Sequence, residues 1–363
     1  MPGINFSLDP IIRHDAIEQE WRRAESASSP SFFTSWTWIG TWLSLLPPDV
    51  KPHLLRATRG DQCVGLAVLV KRSTLRHYLI RSRQLHFNSA GSPEFDCIAI
   101  EHNGFQARAD AEELWAAFVQ WFRNSQIDVD ELVLPGVAAV ASLDALCPMT
   151  RSARVPAYAV DLKSLARSDD PAELLSRNGR QQLRRAFRHY QASGPLLVEE
   201  AETAERALNC FQELRLMHIA SWTRRARPHA FMHPFFEQFH QRLIRAGMQR
   251  REIQLLRISA GQSVLGYLYN LRHNGRIYAY QSGFAVAGGR ERPGYVCHAL
   301  AMRYNALRGE SVYDFMAGSN QLKRSFATTE YALDWITAQQ PRMRFHIENG
   351  LKGLLTPIMG RLR

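Results

Sequence analysis

Three short stretches carry side chains suited to holding a phosphate or moving a proton. The first, S282-GFAVAGGRERPGYV, ends a strand-like run and holds Gly288, Gly289, Arg290, Arg292 and Gly294 ahead of a helix-like run. Glycines let the backbone approach a ligand closely, N–H groups that open a helix attract an anion, and arginines add charge-assisted hydrogen bonds. This chemistry suits a phosphate; a surface loop capped by glycine has the same appearance. The second stretch, V312-YDFMAGSNQLKRSF, alternates so that Tyr313 and Phe315 share one face of a strand and Asp314 takes the other, with Lys323 just beyond. A carboxylate and an ammonium at the C-terminal end of a strand, where α/β sheets collect ligands, can accept a proton and stabilise developing negative charge. They equally make a structural salt bridge. The third stretch, L214-RLMHIASW, places His218 and Trp222 four residues apart on one helix face. An imidazole that titrates near neutrality is a candidate general base, or a packed histidine with one nitrogen satisfied.

Two further segments are candidates for substrate contact. In S176-RNGRQQLRRAFRHYQ, Arg177, Arg180, Arg184 and Arg188 fall on one helical stripe beside Leu183, Ala186, Phe187 and Tyr190. Arg180 and Arg184 could meet a phosphate-bearing substrate, or the stripe is a solvated face. The segment F87-NSAGSPEFDCIAI gathers Asn88, Gly91, Glu94 and Asp96. Glu94 and Asp96 could bind a polar substrate, or the segment is a turn. No Walker A, G-x-S-x-G, H-E-x-x-H or strand-linked G-x-G-x-x-G is present, which removes the common nucleotide hydrolases, serine hydrolases, zinc proteases and dinucleotide enzymes as first choices.

The elements that must position these residues come in two similar sets. L54-LRATRGDQCVGLAVLV and L255-LRISAGQSVLGYLYNL align without a gap, at a constant offset of 201 residues. Both read as a hairpin, two apolar β-branched strands about a tight glycine turn. A third strand, I277-YAYQSGF, follows the second copy after an Asn274-Gly275 turn of type I′ character. Helical runs precede both hairpins: S35-WTWIGTWLSLL with Ser35 as N-cap, and H233-PFFEQFHQRLIRAG ending on Gly247. Further helices are expected over 109–124, 173–191, 203–222 and 295–309, and strands at 131–136, 158–162, 311–318 and 332–339. The spacing predicts a mixed α/β architecture built twice, with a boundary near L165-ARSDDPAE, so domains of 1–165 and 166–345 and a helical tail of 346–363. The tail, with Lys352, Arg361 and Arg363, suits docking on the body better than a peripheral membrane contact, since Pro357 would break a long interfacial helix.

The chain of 363 residues has ordinary globular composition, long enough for two cores, and no apolar run long enough to cross a bilayer. Its five cysteines form no C-x-x-C pair, which argues against a disulfide framework or a metal site and for a reducing, cytoplasmic setting. The net charge of +11, with Arg far outnumbering Lys, favours an acidic partner, or reflects Arg-rich codon usage.

The ordered set F32-FTSWTWIGTWL, GDQCVGLAVL, EFD, LRRAFRHY, LMHIASW, GQSVLGYLYNL and YDFMAG…LK resembles the acetyltransferases of the Gcn5-related (GNAT) superfamily, of the CelD-like and BioF2-like type, and is more distantly similar to the FemABX peptidyltransferases. The resemblance spans about residues 30–345 and implies tandem GNAT-like domains with a cleft between them. It implies acyl transfer from acyl-CoA, as co-substrate and without a metal, to an amine acceptor in envelope or exopolysaccharide synthesis. Under it, Asp314, Lys323 and His218 match catalytic positions; Tyr280, Gln281 and the Gly288–Gly294 loop match the cofactor-binding positions. The N-terminal domain would supply acceptor contacts. Leu322 stands where the family often has Tyr, and no tyrosine acid follows the fifth strand. Alternatives are FemX-like transfer from an aminoacyl-tRNA, against which no coiled-coil arm is found, and a non-catalytic accessory protein of a polysaccharide synthase.

Overall fold

The structure is a computed structural model that describes residues 3–28, 30–76, 80–125, 127–138, 140–145, 149–168, 170–224, 226, 228–286, 291–340, 342–343 and 345. The expected 346–363 tail therefore lies outside the described residues. Two compact units form, Met1–Arg154 with Leu333–Arg363, and Val155–Ala332.

The first unit contains β1 (Asn5–Pro10), α1 (His14–Ala27), α2 (Trp36–Leu43), β2 (Pro52–Arg59), β3 (Gln62–Arg76), β4 (Ile80–Phe87), β5 (Gln106–Ala107), α3 (Ala111–Asn124) and β6 (Glu131–Ala138). Strand β7 (Met149–Asp161) carries the chain into the second unit. There follow α4 (Leu165–Ser168), α5 (Arg177–Gln191), β8 (Leu196–Glu200), α6 (Ala204–Thr223), α7 (Pro234–Met248), β9 (Ile253–Ala260), β10 (Ser263–His273) and β11 (Arg276–Phe284). Then come α8 (Pro293–Ala306), β12 (Val312–Ala317), α9 (Gln321–Phe326) and β13 (Thr329–Gln339).

Each unit is built on a mixed sheet, ordered β1-β2-β3-β4-β6-β13 in the first and β8-β9-β10-β11-β12-β7 in the second. Both are antiparallel except for one parallel pair, β4 with β6 and β11 with β12. The repeated sequence is a repeated structure, down to its glycines. Gly60 and Gly261 both turn their hairpins with left-handed φ, +59° and +55°. Just before Gly65 and Gly266, one extra residue, Val64 in β3 and Leu265 in β10, bulges out of the ladder with the preceding strand.

The last strand of each half does not pair beside its own chain predecessor. Strand β7 follows β6, yet Ala157–Asp161 pair antiparallel with β12 in the second unit. Strand β13 follows β12, yet Leu333–Gln339 pair antiparallel with β6 in the first. This exchange is why the units divide at Arg154/Val155 and Ala332/Leu333, not near residues 165 and 345: strand pairing, rather than the polar stretch at 165–173, decides which core each segment joins.

Local signals place most helices. Ser35 caps α2 by accepting from the Trp38 N–H, as its position suggests. The Asn274-Gly275 turn has positive φ at both residues, as type I′ requires. The helix expected over 173–191 is broken: Pro171–Leu174 is a separate 3-10 turn, and Ser176 Oγ caps a new start by accepting from Gly179 N. Gly247 lies inside α7, not at its end; the chain turns beyond it at Arg251, φ +57°. Helix α1 was not expected because it is largely charged; it buries Ile17, Trp21 and Ala24, a single i, i+4, i+7 line.

In the first unit, buried Glu131 fastens β13 to β6. Its carboxylate accepts from Ser82 Oγ, Gln84 Nε2 (2.9 Å) and Gln339 Nε2 (3.0 Å) and pairs with Arg76. Burial by itself raises its pKa, but these hydrogen bonds and the Arg76 charge outweigh burial and hold it below the usual value. A lowered native pKa stabilises the fold fully above the unfolded carboxylate's pKa of about 4.3, and that stability drains away as pH falls through the native value. Denaturant unfolding at pH 6 and pH 3.5 is expected to show a smaller acid-induced loss for Glu131→Gln than for the wild type; an equal loss would remove Glu131 from the acid response.

Candidate active site

In the second unit, β11 and β12 run parallel for only three residue pairs, Arg276↔Val312, Ile277↔Tyr313 and Tyr278↔Asp314. Beyond Asp314 they separate. Strand β11 continues to Phe284 against β10, and one residue of β10, Asn270, opposes two of β11, Ala279 and Tyr280, because the register shifts between Tyr269 and Leu271. A bulge of this kind bends the strand and leaves a residue out of the ladder. Helix α6 lies tight against the far end of β11: a Cβ on Gly283 would stand 2.4 Å from the Leu214 carbonyl oxygen. Glycine at 283 thus lets helix and strand close to this distance.

A cavity of about 470 Å³ opens at this end of β11. Its walls are His218, Ser221, Trp222 and Arg224 from α6 and its C-terminus, Gln281 to Val286 from β11 and the residues after it, Pro293 and Gly294 at the start of α8, and Asn320 and Leu322 beside α9. His218 is buried, and its Nδ1 lies 2.9 Å from the Ser282 carbonyl oxygen. A carbonyl only accepts, so Nδ1 carries the hydrogen, and in the neutral ring Nε2 is the basic nitrogen. Trp222 stacks on the His218 ring (centroids 5.3 Å, 22° between planes), and His229 and Phe231 stand edge-on to it. Ring orientation is thereby set from several sides. Ser221 and Trp222 follow His218 by three and four residues, the helical spacing that brings them to the same cavity.

Helix α8 starts abruptly. Arg292 is left-handed (φ +47°) and its guanidinium lies 5.3 Å from the Tyr295 ring centroid. Gly294 leaves the cavity open where a Cβ would stand 3.3 Å from the Phe284 ring.

Some expected site residues serve the framework. Asp314 is fully buried; its carboxylate accepts from Tyr331 Oη (2.7 and 2.8 Å), Arg276 Nη1 (2.7 Å) and the Met316 N–H (2.7 Å). Lys323 Nζ donates to the Ala317 (2.6 Å) and Met316 (3.3 Å) carbonyls. Both thus hold the end of β12, where Met316 is left-handed at φ +62°. Gln281 lines the cavity, whereas Tyr280 turns to α7, its Oη 3.0 Å from Nε2 of His240. His240 is fully buried, also meets Tyr269 Oη, and burial pushes its pKa well down. On α5, Arg180 Nε donates to the Leu175 carbonyl and Arg184 pairs with Asp170 at 3.0 Å. Gly288, Gly289 and Arg290 lie outside the described residues. Glu94 and Asp96 belong to the first unit; Glu94 is exposed, and Asp96 accepts from the Ala90 and Ser92 N–H groups, fastening its own loop. Sequence reasoning missed Ser221, Arg224, Asn320, Arg276 and Tyr331.

The first unit has the same parallel, three-pair contact between β4 and β6, but its wedge is filled by the chain itself. Asn103 bridges Val137 of β6; its N–H donates to the Gly136 carbonyl and its Nδ2 to the Phe87 carbonyl, both at 3.0 Å. Gly136 is left-handed (φ +63°), and a Cβ there would overlap the Ile100 carbonyl oxygen at 2.2 Å. Residues 100–104 occupy the space that stays open in the second unit.

Residues 177–324 match the family described as Acetyltransferase (GNAT) domain. Over this segment the chain is similar to that family. No curated protein matches the chain. Among solved structures, FemX superposes with a TM-score of 0.59 at 11% identity, over 93% of this chain and 98% of that one. The C-terminal domain (DUF2156) of a putative lysylphosphatidylglycerol synthetase from Agrobacterium fabrum gives 0.52 at 10%, over 94% and 96%. A protein of unknown function from Bacteroides thetaiotaomicron gives 0.50 at 11%, over 93% and 100%. The end of β11 beyond its bulge and the start of α8 thus meet at one cavity. Among the described residues no group of His, Cys, Asp and Glu could hold a metal ion, and no helix is long and apolar enough to cross a membrane.

Asp314→Ala removes the buried acceptor shared by Arg276, Tyr331 and the Met316 N–H and is expected to cost about 3 kcal/mol in denaturant unfolding. Unchanged stability with lost turnover would return Asp314 to the chemistry.

Proposed function

We propose that the GNAT domain transfers an acyl group from acyl-CoA to an amine held in the cavity beside His218. In this reading the diphosphate rests at the start of α8 near Gly294, with Arg292 as its cation. The pantetheine arm lies in the wedge between β11 and β12, where β11 backbone groups beyond Tyr278 are not paired to β12. The thioester then falls near the β11 bulge, opposite His218. The amine nitrogen attacks the thioester carbonyl, the C–N bond forms and the C–S bond breaks. His218 Nε2 takes the amine's proton, and the leaving thiolate gains one from solvent, since Leu322 offers no acid. Holding the amine against the thioester supplies much of the rate, and a positioned base contributes typically about 10²–10⁴-fold.

The acceptor is an amine on an envelope or exopolysaccharide precursor in the cytoplasm, as the CelD-like resemblance implies. The polar walls at Ser221, Arg224, Gln281 and Asn320 support a hydrophilic acceptor. The observation that carries the reading is the meeting of His218's basic nitrogen, the free-running end of β11 and the start of α8 at one cavity. Free-thiol release from acetyl-CoA with a panel of amines tests it. The wild type should turn over, and His218→Gln should lower kcat about 10²-fold or more while CoA affinity holds. Calorimetry should find one CoA per chain, because residues 100–104 fill the first unit's wedge. Product formed only from aminoacyl-tRNA would move the donor to the FemX-like class; no CoA binding and no transfer with either donor would favour a non-catalytic accessory role.

A further inference from the structure

Four of the five arginines of α5 divide into two groups. Arg180 and Arg184, toward the helix start, are engaged by the Leu175 carbonyl and the Asp170 carboxylate. Arg185 and Arg188, in the second half, are exposed, and neither has a carboxylate partner among the described residues. His189 shares their flank, since positions i, i+3 and i+4 of a helix stand about 5–6 Å apart at Cβ. Its Nε2 lies 4.0 Å from Glu291 Oε1, immediately before the Arg292-Pro293-Gly294 start of α8. Phe187 and Tyr190, on the other side of this turn, pack with Val296 and Cys297 of α8 in one core, which fixes the turn beside the α8 N-terminus. Two arginines with no carboxylate partner among the described residues therefore sit on a turn packed beside the start of α8, where the diphosphate is expected to lie.

We infer that Arg185 and Arg188 form a phosphomonoester subsite that takes the ribose 3′-phosphate of the CoA thioester. The inference rests on the acyl-CoA reading above and adds a second anion site to it. CoA carries two separate anionic groups, the diphosphate and the 3′-phosphate, joined through one ribose. The first belongs at the start of α8, and the second needs cations beside it that are not already neutralised by carboxylates. Arginine forks suit a phosphomonoester, which accepts several charge-assisted hydrogen bonds at once.

Dephospho-CoA lacks only the 3′-phosphate, so the ratio of its Kd to that of CoA, measured by calorimetry on the full chain, reads this subsite alone. The wild type should prefer CoA about 10-fold or more. Arg185→Ala with Arg188→Ala should bring the ratio to about one and leave dephospho-CoA affinity within about 2-fold. Arg177→Ala, on the first turn of α5, should leave the ratio unchanged, as should Arg324→Ala on α9. A wild-type ratio near one, or a ratio that survives the double substitution and collapses in Arg324→Ala, overturns the subsite while CoA binding itself sustains the acyl-CoA reading. Absence of binding by both ligands ends that reading and the subsite with it.

Discussion

The open wedge in the second unit depends on one buried carboxylate. Asp314 sits at the last residue pair shared by β11 and β12, and four hydrogen bonds converge on it. Arg276 ties it to the start of β11, and Tyr331 ties it to β13. The Met316 N–H holds the left-handed residue with which β12 leaves the regular ladder. A non-glycine residue in that conformation costs about 1–2 kcal/mol, and charge-assisted bonds to a buried carboxylate offset it. Lys323 binds the carbonyls of Met316 and Ala317 on the same kink. Without this clamp β12 could zip further along β11, satisfying the backbone groups of both strands and closing the space a ligand arm needs. The wedge is therefore a deliberate failure of pairing, kept open by polar contacts that surround it.

The exchanged sixth strands supply the other half of that constraint. A strand that leaves one neighbour must keep its backbone groups satisfied on the other side. Strand β12 does so against β7, and β6 does so against β13, each partner having crossed from the other half of the chain. The ladder between β12 and β7 shifts register between Asp314 and Ala317, so the kink is absorbed there. Duplication thus produced two wedges with the same support and different fates. The second is lined by His218 and the α8 start. The first is closed by Asn103, whose amide and backbone satisfy Gly136 and Phe87 in place of a ligand. Gly136 is what permits this plug, since any side chain there would strike the Ile100 carbonyl.

Much of this was legible in the sequence because it is local. The hairpins follow from apolar runs about Gly60 and Gly261, and Ser35 announces α2. His218 with Trp222 reads as one helical face, and the Gly294 region reads as a helix start beside a strand end. What was not legible depends on long-range pairing. Nothing in residues 149–161 says that they complete the sheet of the later half, so the junction was expected at the polar stretch near 165. Asp314 and Lys323 read as acid and base because a carboxylate and an ammonium near a strand end look alike in catalysis and in clamping. The difference lies in Arg276 and Tyr331, which are far off in sequence, and in the left-handed Met316, which no propensity rule marks. Tyr280 was expected to face the ligand with Gln281; neighbours on a strand face opposite ways, and Tyr280 accordingly turns to His240 while Gln281 lines the cavity.

The same geometry decides which histidine can act. His240 lies fully buried between two phenols, His298 is buried against Tyr313, and burial holds both pKa values well below the usual one. Each is a neutral bridge inside the core. His218 differs in one respect that chemistry can use: it lines a cavity while its inner nitrogen is committed to a backbone carbonyl. That carbonyl belongs to Ser282, the neighbour of Gln281 on β11, and both line the cavity. In the proposed reading, the base and the strand that would present the acyl carbonyl are held together by one hydrogen bond. Rotation of His218 is opposed by Trp222 on its face and by His229 and Phe231 at its edge. A general base gains from such fixation because proton transfer falls steeply with misalignment, and a ring already oriented does not lose rotational freedom when the substrate arrives.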